Sequence, residues 1–327
     1  MRVLVTGATG FVGKVAVKHL QRAGFDVRRA LRKTETASVF DDVVVGEING
    51  QTDWEAALQG MDVVLHLAGR AHQLNDKSQD PLKDFRDINT DGTLNLAKQA
   101  KRAGIKRFVF VSSIGVNGSK NIMPFTEASL AKPHTPYAQS KWEAELGLAK
   151  LNGKMEITIV RPPLVYGPQA PGNLEKLITV LQKGVPLPFG LIHNKRSMVG
   201  VDNLASFLTT CLGHPNAGNQ LFLVADSKDI STPELIKTMG AHLNKKIILL
   251  PVPVWGLKLL GKMTGKHKMM ESLTESLRVD SRFARSKLDW QPPLSIEKGL
   301  EQMMLGTPSV KANSVEAKDK KSPHNAE

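Results

Sequence analysis

Over its first two-thirds the chain alternates short, β-branched apolar runs with longer stretches of helical period. The runs at Arg2–Val5, Asp26–Ala30, Val43–Val45, Val63–His66, Arg107–Val111 and Ile157–Val160 predict strands. Between them, Gly10–Ala23, Pro81–Ala103 and Tyr137–Leu151 predict helices, and in the second of these Ile88, Leu94, Leu96 and Ala97 are placed to cover a sheet. Strands that read as continuous apolar runs and are separated by helices belong to a parallel sheet, whose crossovers cover both faces. The expected fold class is α/β, a doubly wound parallel sheet. After Arg161 the texture changes to longer loops, more Pro and Gly, and small scattered elements.

Directly after the first strand comes Val5-Thr6-Gly7-Ala8-Thr9-Gly10-Phe11-Val12-Gly13. Its glycines have separate tasks. Gly7 lets the chain leave the strand sharply, Gly10 removes a Cβ that would block a pyrophosphate, and Gly13 lets the following helix press against the sheet. Phosphates would sit on the free N–H groups of that helix, at the positive end of its dipole. Residues 1–165 are therefore expected to form a Rossmann-like dinucleotide-binding domain, to which some later segments return. Residues 166–305 would form a smaller, mixed substrate-binding portion, and residues 306–327, almost without large apolar side chains, a disordered tail.

A single cysteine, Cys211, excludes an internal disulfide or a cysteine metal cluster, and no metal site is expected. Nothing before Val3 reads as a signal peptide, so the cytoplasm is the expected compartment. The formal net charge of +13 suits an anionic ligand or surface, but Lys and Arg are dispersed with few aromatics between them, which speaks against nucleic acid. The most apolar segment, Ile247–Gly261, is broken by Pro251, Pro253 and Lys258 and is too short to span a bilayer. It reads as a buried strand, a turn and an amphipathic helix packed on the core. The alternative is a membrane-surface helix, with Lys258, Lys262, Lys266 and Lys268 at the lipid heads and Trp255, Leu257, Leu259 and Leu260 inserted.

Two further patterns carry chemistry. In Tyr137-Ala-Gln-Ser-Lys141 the four-residue spacing puts a phenol and an ammonium on one helical face. A phenol titrates near pH 10, and a neighbouring cation favours its ionised form, making it a usable acid/base. Phe108-Val-Phe-Val-Ser-Ser113 brings two hydroxyls to the carboxyl end of a buried strand, where ligands gather in open α/β sheets. Ser113 is then placed to hydrogen-bond a substrate oxygen while Tyr137 moves its proton.

Together these motifs resemble the extended short-chain dehydrogenase/reductase family, in particular its nucleotide-sugar epimerases, dehydratases and reductases. The resemblance runs from Met1 to about Gly299 and includes Gly46-Glu47-Ile48, Asp62-Val-Val-Leu-His66-Leu-Ala-Gly69, Asn89-Thr-Asp-Gly-Thr93, Arg161-Pro-Pro-Leu-Val-Tyr-Gly-Pro168 and Arg196-Ser-Met-Val-Gly-Val-Asp202. It implies a catalytic trio of Ser113, Tyr137 and Lys141. It further implies a dinucleotide held by Gly7, Gly10, Phe11, Val12, Gly13, Glu47, Ile48, Leu67, Ala68, Gly69 and Asn89 together with Tyr137 and Lys141. Asn173 and Arg196 match positions that hold the diphosphate of a nucleotide sugar, and a homodimer through Pro81–Ala103 and Tyr137–Leu151 is implied.

Departures from the family pattern refine the expectation. Leu31 stands where an acidic residue normally binds the adenosine ribose, and Arg32 and Lys33 follow, so the cofactor is NAD(P) with NADP(H) favoured. Leu164 replaces a frequent Asn, Asn117-Gly118 replaces a frequent Tyr-Gly, and no acidic pair follows Ser113, which weakens a dehydratase reading. The expected function is redox chemistry at C4 of a nucleotide-linked hexose, favoured as a UDP-4-keto-6-deoxy-N-acetylhexosamine 4-reductase in surface polysaccharide synthesis. The alternatives are a UDP-glucose 4-epimerase and, in another class, a non-catalytic dinucleotide sensor or scaffold.

Overall fold

The computed structural model describes residues 1–34, 40–71, 79–151, 153–243 and 245–306. The tail expected at 306–327 lies outside these residues except for Gly306. The N-terminal part runs β1 (Arg2–Thr6), α1 (Phe11–Arg22), β2 (Asp26–Leu31), β3 (Asp41–Val44), α2 (Glu55–Leu58), β4 (Val63–His66), α3 (Pro81–Arg86), a π turn (Asp87–Gly92), α4 (Thr93–Arg102), β5 (Arg107–Val111), α5 (Pro136–Ala149) and β6 (Glu156–Arg161). There follow β7 (Leu164–Tyr166), α6 (Asn173–Gln182), β8 (Met198–Gly200), α7 (Val201–Gly213), β9 (Leu221–Leu223), α8 (Thr232–His242), α9 (Val254–Met263), α10 (His267–Thr274), α11 (Arg282–Leu288) and α12 (Ile296–Leu305).

Seven strands form one sheet in the order β3-β2-β1-β4-β5-β6-β9, every neighbouring pair parallel. Thr6 lies opposite both Ala30 and His66, and His66 opposite Phe110, so the carboxyl ends of the central strands come out level. The strand order reverses between β1 and β4, which opens the crevice where such sheets bind ligands. One face of the sheet is covered by α1 and α7, with Leu20, Leu204, Phe207 and Leu208 fully buried. The other face carries α2, α4 and α5, with Trp54, Leu96 and Leu148 fully buried. A second core, built from α6, α8, α12 and parts of α9 and α10, packs against Phe11 at the head of α1.

The sequence pattern located β1 to β6 within a residue or two, and it missed β7, β8 and β9. Each of these has three residues, too few to show a period. The third strand begins at Asp41 because Asp41 and Asp42 pair with Arg28 and Arg29 across β2, at 2.7 Å and 2.6 Å. Both arginines are thereby held by carboxylates. The buried strand expected at the start of Ile247–Gly261 does not form: Ile248 and Leu250 bond to the loop at Leu187 and Gly190, with an isolated bridge of Leu249 to Leu187, and Pro251 and Pro253 prevent a ladder. Nor does α9 bury the face assigned to the core, since only Leu257 and Gly261 are buried, while Trp255 is 73% exposed and Met263 78%.

Candidate active site

The site is assembled on the carboxyl ends of β1, β4 and β5. At the first turn Gly7 has φ +66°, and a Cβ there would stand 2.7 Å from the Ala68 nitrogen. A side chain is therefore excluded both by backbone conformation and by the neighbouring strand exit. A Cβ on Gly13 would lie 2.0 Å from the Gly7 oxygen, so Gly13 closes α1 onto the turn itself rather than onto the sheet as expected. Gly10 caps α1 without a side-chain hydrogen bond, and the first turn of α1 holds no acidic residue. The first N–H groups of α1, at Phe11 and Val12, have no partner inside the helix. This cradle suits a pyrophosphate by geometry and by helix polarity.

Toward the adenosine end, Leu31 is buried at the close of β2, while the side chains of Arg32 and Glu47 are 72% and 70% exposed and 3.8 Å apart. Arg32 and Lys33 are exposed cations of this region, whereas Arg28 and Arg29 are paired with carboxylates. Gly46, with φ +72°, turns the chain so that Ile48 is buried beneath Glu47.

A directional hydrogen-bond chain fixes the middle of the crevice. The Ala68 N–H donates to Thr6 Oγ1 at 3.2 Å, and Thr93 Oγ1 donates to the Asn89 carbonyl at 2.7 Å. His66 lies between the two hydroxyls, with Nδ1 2.7 Å from Thr6 Oγ1 and Nε2 2.9 Å from Thr93 Oγ1. Thr93 has spent its proton on Asn89, so it accepts from His66 Nε2–H, and Nδ1 accepts from Thr6. Burial and the Lys141 charge hold His66 neutral, pushing its pKa down to about 3. Asn89 sits in the π turn; its amide donates to the Arg70 carbonyl and to Ser140, which donates in turn to the Tyr137 carbonyl. The sequence signal for this chain, a His closing a buried apolar strand, was present in Val63–His66 but was given no role.

Ser113, Tyr137 and Lys141 converge beside it. Thr135 caps α5 through its hydroxyl, and Pro136 occupies the first turn, which starts the helix one residue before Tyr137. The edge of the Phe85 ring, at 5.9 Å between centroids, sets the plane of the Tyr137 ring. Burial raises the Tyr137 pKa, and a hydrogen bond with Ser113 acts the other way. Ser113 Oγ accepts the Gly115 N–H at 3.1 Å, which leaves its own proton for Tyr137 or a substrate oxygen. One turn further along α5, Lys141 is buried; its Nζ donates to the Val111 carbonyl at 3.0 Å and lies 4.6 Å from the Phe110 ring centre. Desolvation brings its pKa down to about 8, against the pull of Glu145. A Cβ on Gly69 would stand 2.9 Å from Asn89 Oδ1 and 3.2 Å from Lys141 Nζ, so that glycine keeps the floor open where both side chains point.

Beneath the trio lies a network that sequence reasoning overlooked. Glu145, a further turn along from Lys141, forms a buried pair with Arg161 and accepts from Ser112 Oγ; Arg161 also donates to Asn117 Oδ1 at 2.9 Å. The spacing 137, 141, 145 was readable as one stripe of α5. Asn117, noted only as a departure, is thus one end of the support for the Ser112–Ser113 loop.

Of the expected substrate residues, Asn173 opens α6 and is exposed. Arg196 is partly buried, and its guanidinium donates to the Ser272 carbonyl at 2.6 Å and the Glu275 carbonyl at 3.4 Å. It has no ion-pair partner among the described residues, and desolvation lowers its pKa. Its backbone pairs with Leu277, which packs with Ile114, the neighbour of Ser113.

The profile of the NAD dependent epimerase/dehydratase family matches residues 3–225. The chain is similar to a UDP-glucose 4-epimerase of Vibrio cholerae, 43% identical over 92% of this chain and 93% of the relative. It is also similar to the N-acetyl-alpha-D-glucosaminyl-diphospho-ditrans,octacis-undecaprenol 4-epimerase of Escherichia coli O157:H7, at 28% identity over 92% of this chain and 94% of that one. In fold it matches the UDP-glucuronic acid 4-epimerase of Bacillus cereus solved with NAD, with a TM-score of 0.76 at 21% identity over 95% and 99% of the two chains. The pyrophosphate cradle, the tyrosine–lysine stripe and these matches over nearly the whole chain lead to one assignment: the protein is an enzyme belonging to the NAD dependent epimerase/dehydratase family.

Proposed function

We propose that the enzyme interconverts hydroxyl and ketone at C4 of a hexose carried on a nucleoside diphosphate, with 4-epimerisation of a UDP-hexose as the overall reaction. The observation that carries this reading is Arg196, a partly buried guanidinium without a carboxylate, joined through Leu277 and Ile114 to the segment bearing Ser113. A guanidinium so placed is completed by a phosphate, which it binds in a fork. The likeness to the Vibrio cholerae UDP-glucose 4-epimerase supports the hexose and the uridine.

Gly7, Gly10, Phe11, Val12 and Gly13 would hold the pyrophosphate of the nicotinamide dinucleotide, Glu47 and Ile48 its adenosine, and Leu67, Ala68, Gly69, Asn89, Tyr137 and Lys141 its other end. When bound, that cofactor would supply the acceptor and donor of hydride for C4. Tyr137 takes the proton of the C4 hydroxyl on oxidation and gives it back on reduction. Lys141, as a cation, stabilises the phenolate in the first case, and Ser113 donates to the sugar oxygen in both. Asn173 and Arg196 keep the diphosphate fixed while the sugar reacts. We assign a homodimer through α3, α4 and α5 to the same reading; α5 leaves Leu146 45% exposed.

A second reading, the UDP-4-keto-6-deoxy-N-acetylhexosamine 4-reductase, is favoured by Leu31 and the solvent-exposed Arg32, which suit an exchangeable NADPH. Purified protein incubated with UDP-glucose and no added cofactor decides between them. We expect UDP-galactose to accumulate and mass spectrometry to find NAD retained by the protein. Consumption of NADPH with the 4-keto sugar, and no interconversion of UDP-glucose, would replace the epimerase by the reductase.

A further inference from the structure

From Leu235 to Met270 the sequence holds no Asp or Glu, and it holds Lys237, Lys245, Lys246, Lys258, Lys262, Lys266 and Lys268. The same segment carries much of the apolar surface the protein leaves in solvent: Ile248 (49% exposed), Leu250 (43%), Trp255 (73%), Leu259 (53%), Leu260 (52%), Met263 (78%) and Met269 (41%). Trp255, Leu259 and Met263 follow at four-residue steps and form one outer stripe of α9, with Leu260 beside it. The opposite side, Leu257 and Gly261, faces inward; a Cβ on Gly261 would stand 2.6 Å from Met270 Cγ, so α9 and α10 are locked together as a hairpin turned at Gly265. The outward stripe is thus held in place by a packed inner side.

Lysines border the stripe. Lys262 and Lys266 are exposed, as are Lys245 and Lys246 beside Ile248, whereas Lys258 is held by Glu275 at 2.7 Å. Only the backbone of Lys268 is among the described features. No helix among the described residues is long and apolar enough to cross a membrane. An outward tryptophan and aliphatic side chains fringed by lysines, with no carboxylate from Leu235 to Met270 and Glu271 exposed just beyond on α10, complement an interface that is apolar beneath and negatively charged at its surface.

We propose that the α9–α10 hairpin seats this enzyme on an anionic phospholipid bilayer. Trp255, Leu259, Leu260 and Met263 enter the boundary between headgroups and acyl chains, while Lys245, Lys246, Lys262 and Lys266 meet the lipid phosphates. Leu257, which the sequence pattern placed among the inserting residues, stays in the core. The inference does not depend on which sugar the enzyme uses.

Cosedimentation of the full chain with vesicles tests it. Vesicles of phosphatidylcholine with one-quarter phosphatidylglycerol should retain at least about ten times more protein than pure phosphatidylcholine, and added salt should release part of it. Leu259→Glu and Trp255→Ser should each cut retention about tenfold or more, as should Lys262→Glu combined with Lys266→Glu. Dinucleotide binding and far-ultraviolet circular dichroism check that the variants remain folded. Equal retention on both vesicle types, or wild-type retention by the Leu259→Glu protein, overturns the proposal. So does a wild-type dimer in sedimentation velocity that Leu259→Glu splits while neither protein binds vesicles, because the stripe would then belong to a second copy of the chain.

Discussion

His66 donates its Nε2 proton to Thr93 and accepts a proton from Thr6 at Nδ1, so one neutral imidazole joins the exit of β1 to the head of α4. Protonation would place a second N–H against the Thr6 hydroxyl and a charge in the core. The folded pKa, about 3, lies below the 6.5 of the free side chain. An unfolded chain therefore binds this proton below about pH 6.5 and the folded one only near pH 3, so stability falls as the pH drops through that window. The slope from this group is at most about 1.4 kcal/mol per pH unit. Thermal melts between pH 7 and 4 should show the loss, and His66→Gln should have a lower Tm at pH 7 and a shallower acid slope. A variant as acid-sensitive as the wild type would place the effect elsewhere.

Tyr137→Phe keeps the ring that Phe85 positions and removes only the hydroxyl. Turnover should fall by about 10²- to 10⁴-fold, the range of a lost acid/base, with dinucleotide affinity within a few-fold of the wild type. Equilibrium titration of the cofactor beside steady-state kinetics separates the two. Activity near the wild-type level would remove the phenol from the proton path.

Lys141 should set the alkaline limb of kcat/KM. Its ammonium is lost as the pH rises through about 8, and with it the cation that favours the Tyr137 phenolate. Activity is thus expected to decline above about pH 8. In Lys141→Met the residual rate should be low and the limb near 8 absent. Persistence of that limb would assign it to another group.

Arg196→Ala should raise KM for a nucleotide sugar by about ten- to a hundredfold, the scale of a charge-assisted hydrogen bond of roughly 1.5–3 kcal/mol. The kcat should change less. Loss of the bonds to the Ser272 and Glu275 carbonyls gives Arg196→Lys a role as control, since a lysine retains charge without the fork. An unchanged KM in Arg196→Ala would move the diphosphate away from this residue and favour a substrate without one.

Why some of this was legible and some not follows from how each residue acts. Gly7 and Gly13 are visible in a sequence because a backbone that must approach another backbone admits no substitute. Tyr137 and Lys141 are visible because chemistry fixes both residue types and helix geometry fixes their spacing. Arg161 reaches Glu145 across 16 positions of the chain and Asn117 across 44, and no local pattern announces a pairing that the fold alone creates. The misread stripe of α9 has a different cause. Apolar residues at helical spacing report that a helix has an apolar face, and they are silent on what that face meets. Leu257 and Leu259 are equally apolar, and only the packing of α10 decides that one is covered and the other is not.

The π turn at Asp87–Gly92 changes what a single helix can do. Each residue of an α-helix advances about 100° around the axis, and a wider turn shifts the phase of everything after it. Phe85, ahead of the shift, meets the Tyr137 ring, while Leu96, Ala97 and Ala100, behind it, cover the sheet. Removing one residue from the turn would rotate α4 against α3 by about a quarter of a revolution. Phe85 and Leu96 could then no longer both reach their partners, so the count of residues in this segment is as much a part of the site as their identity.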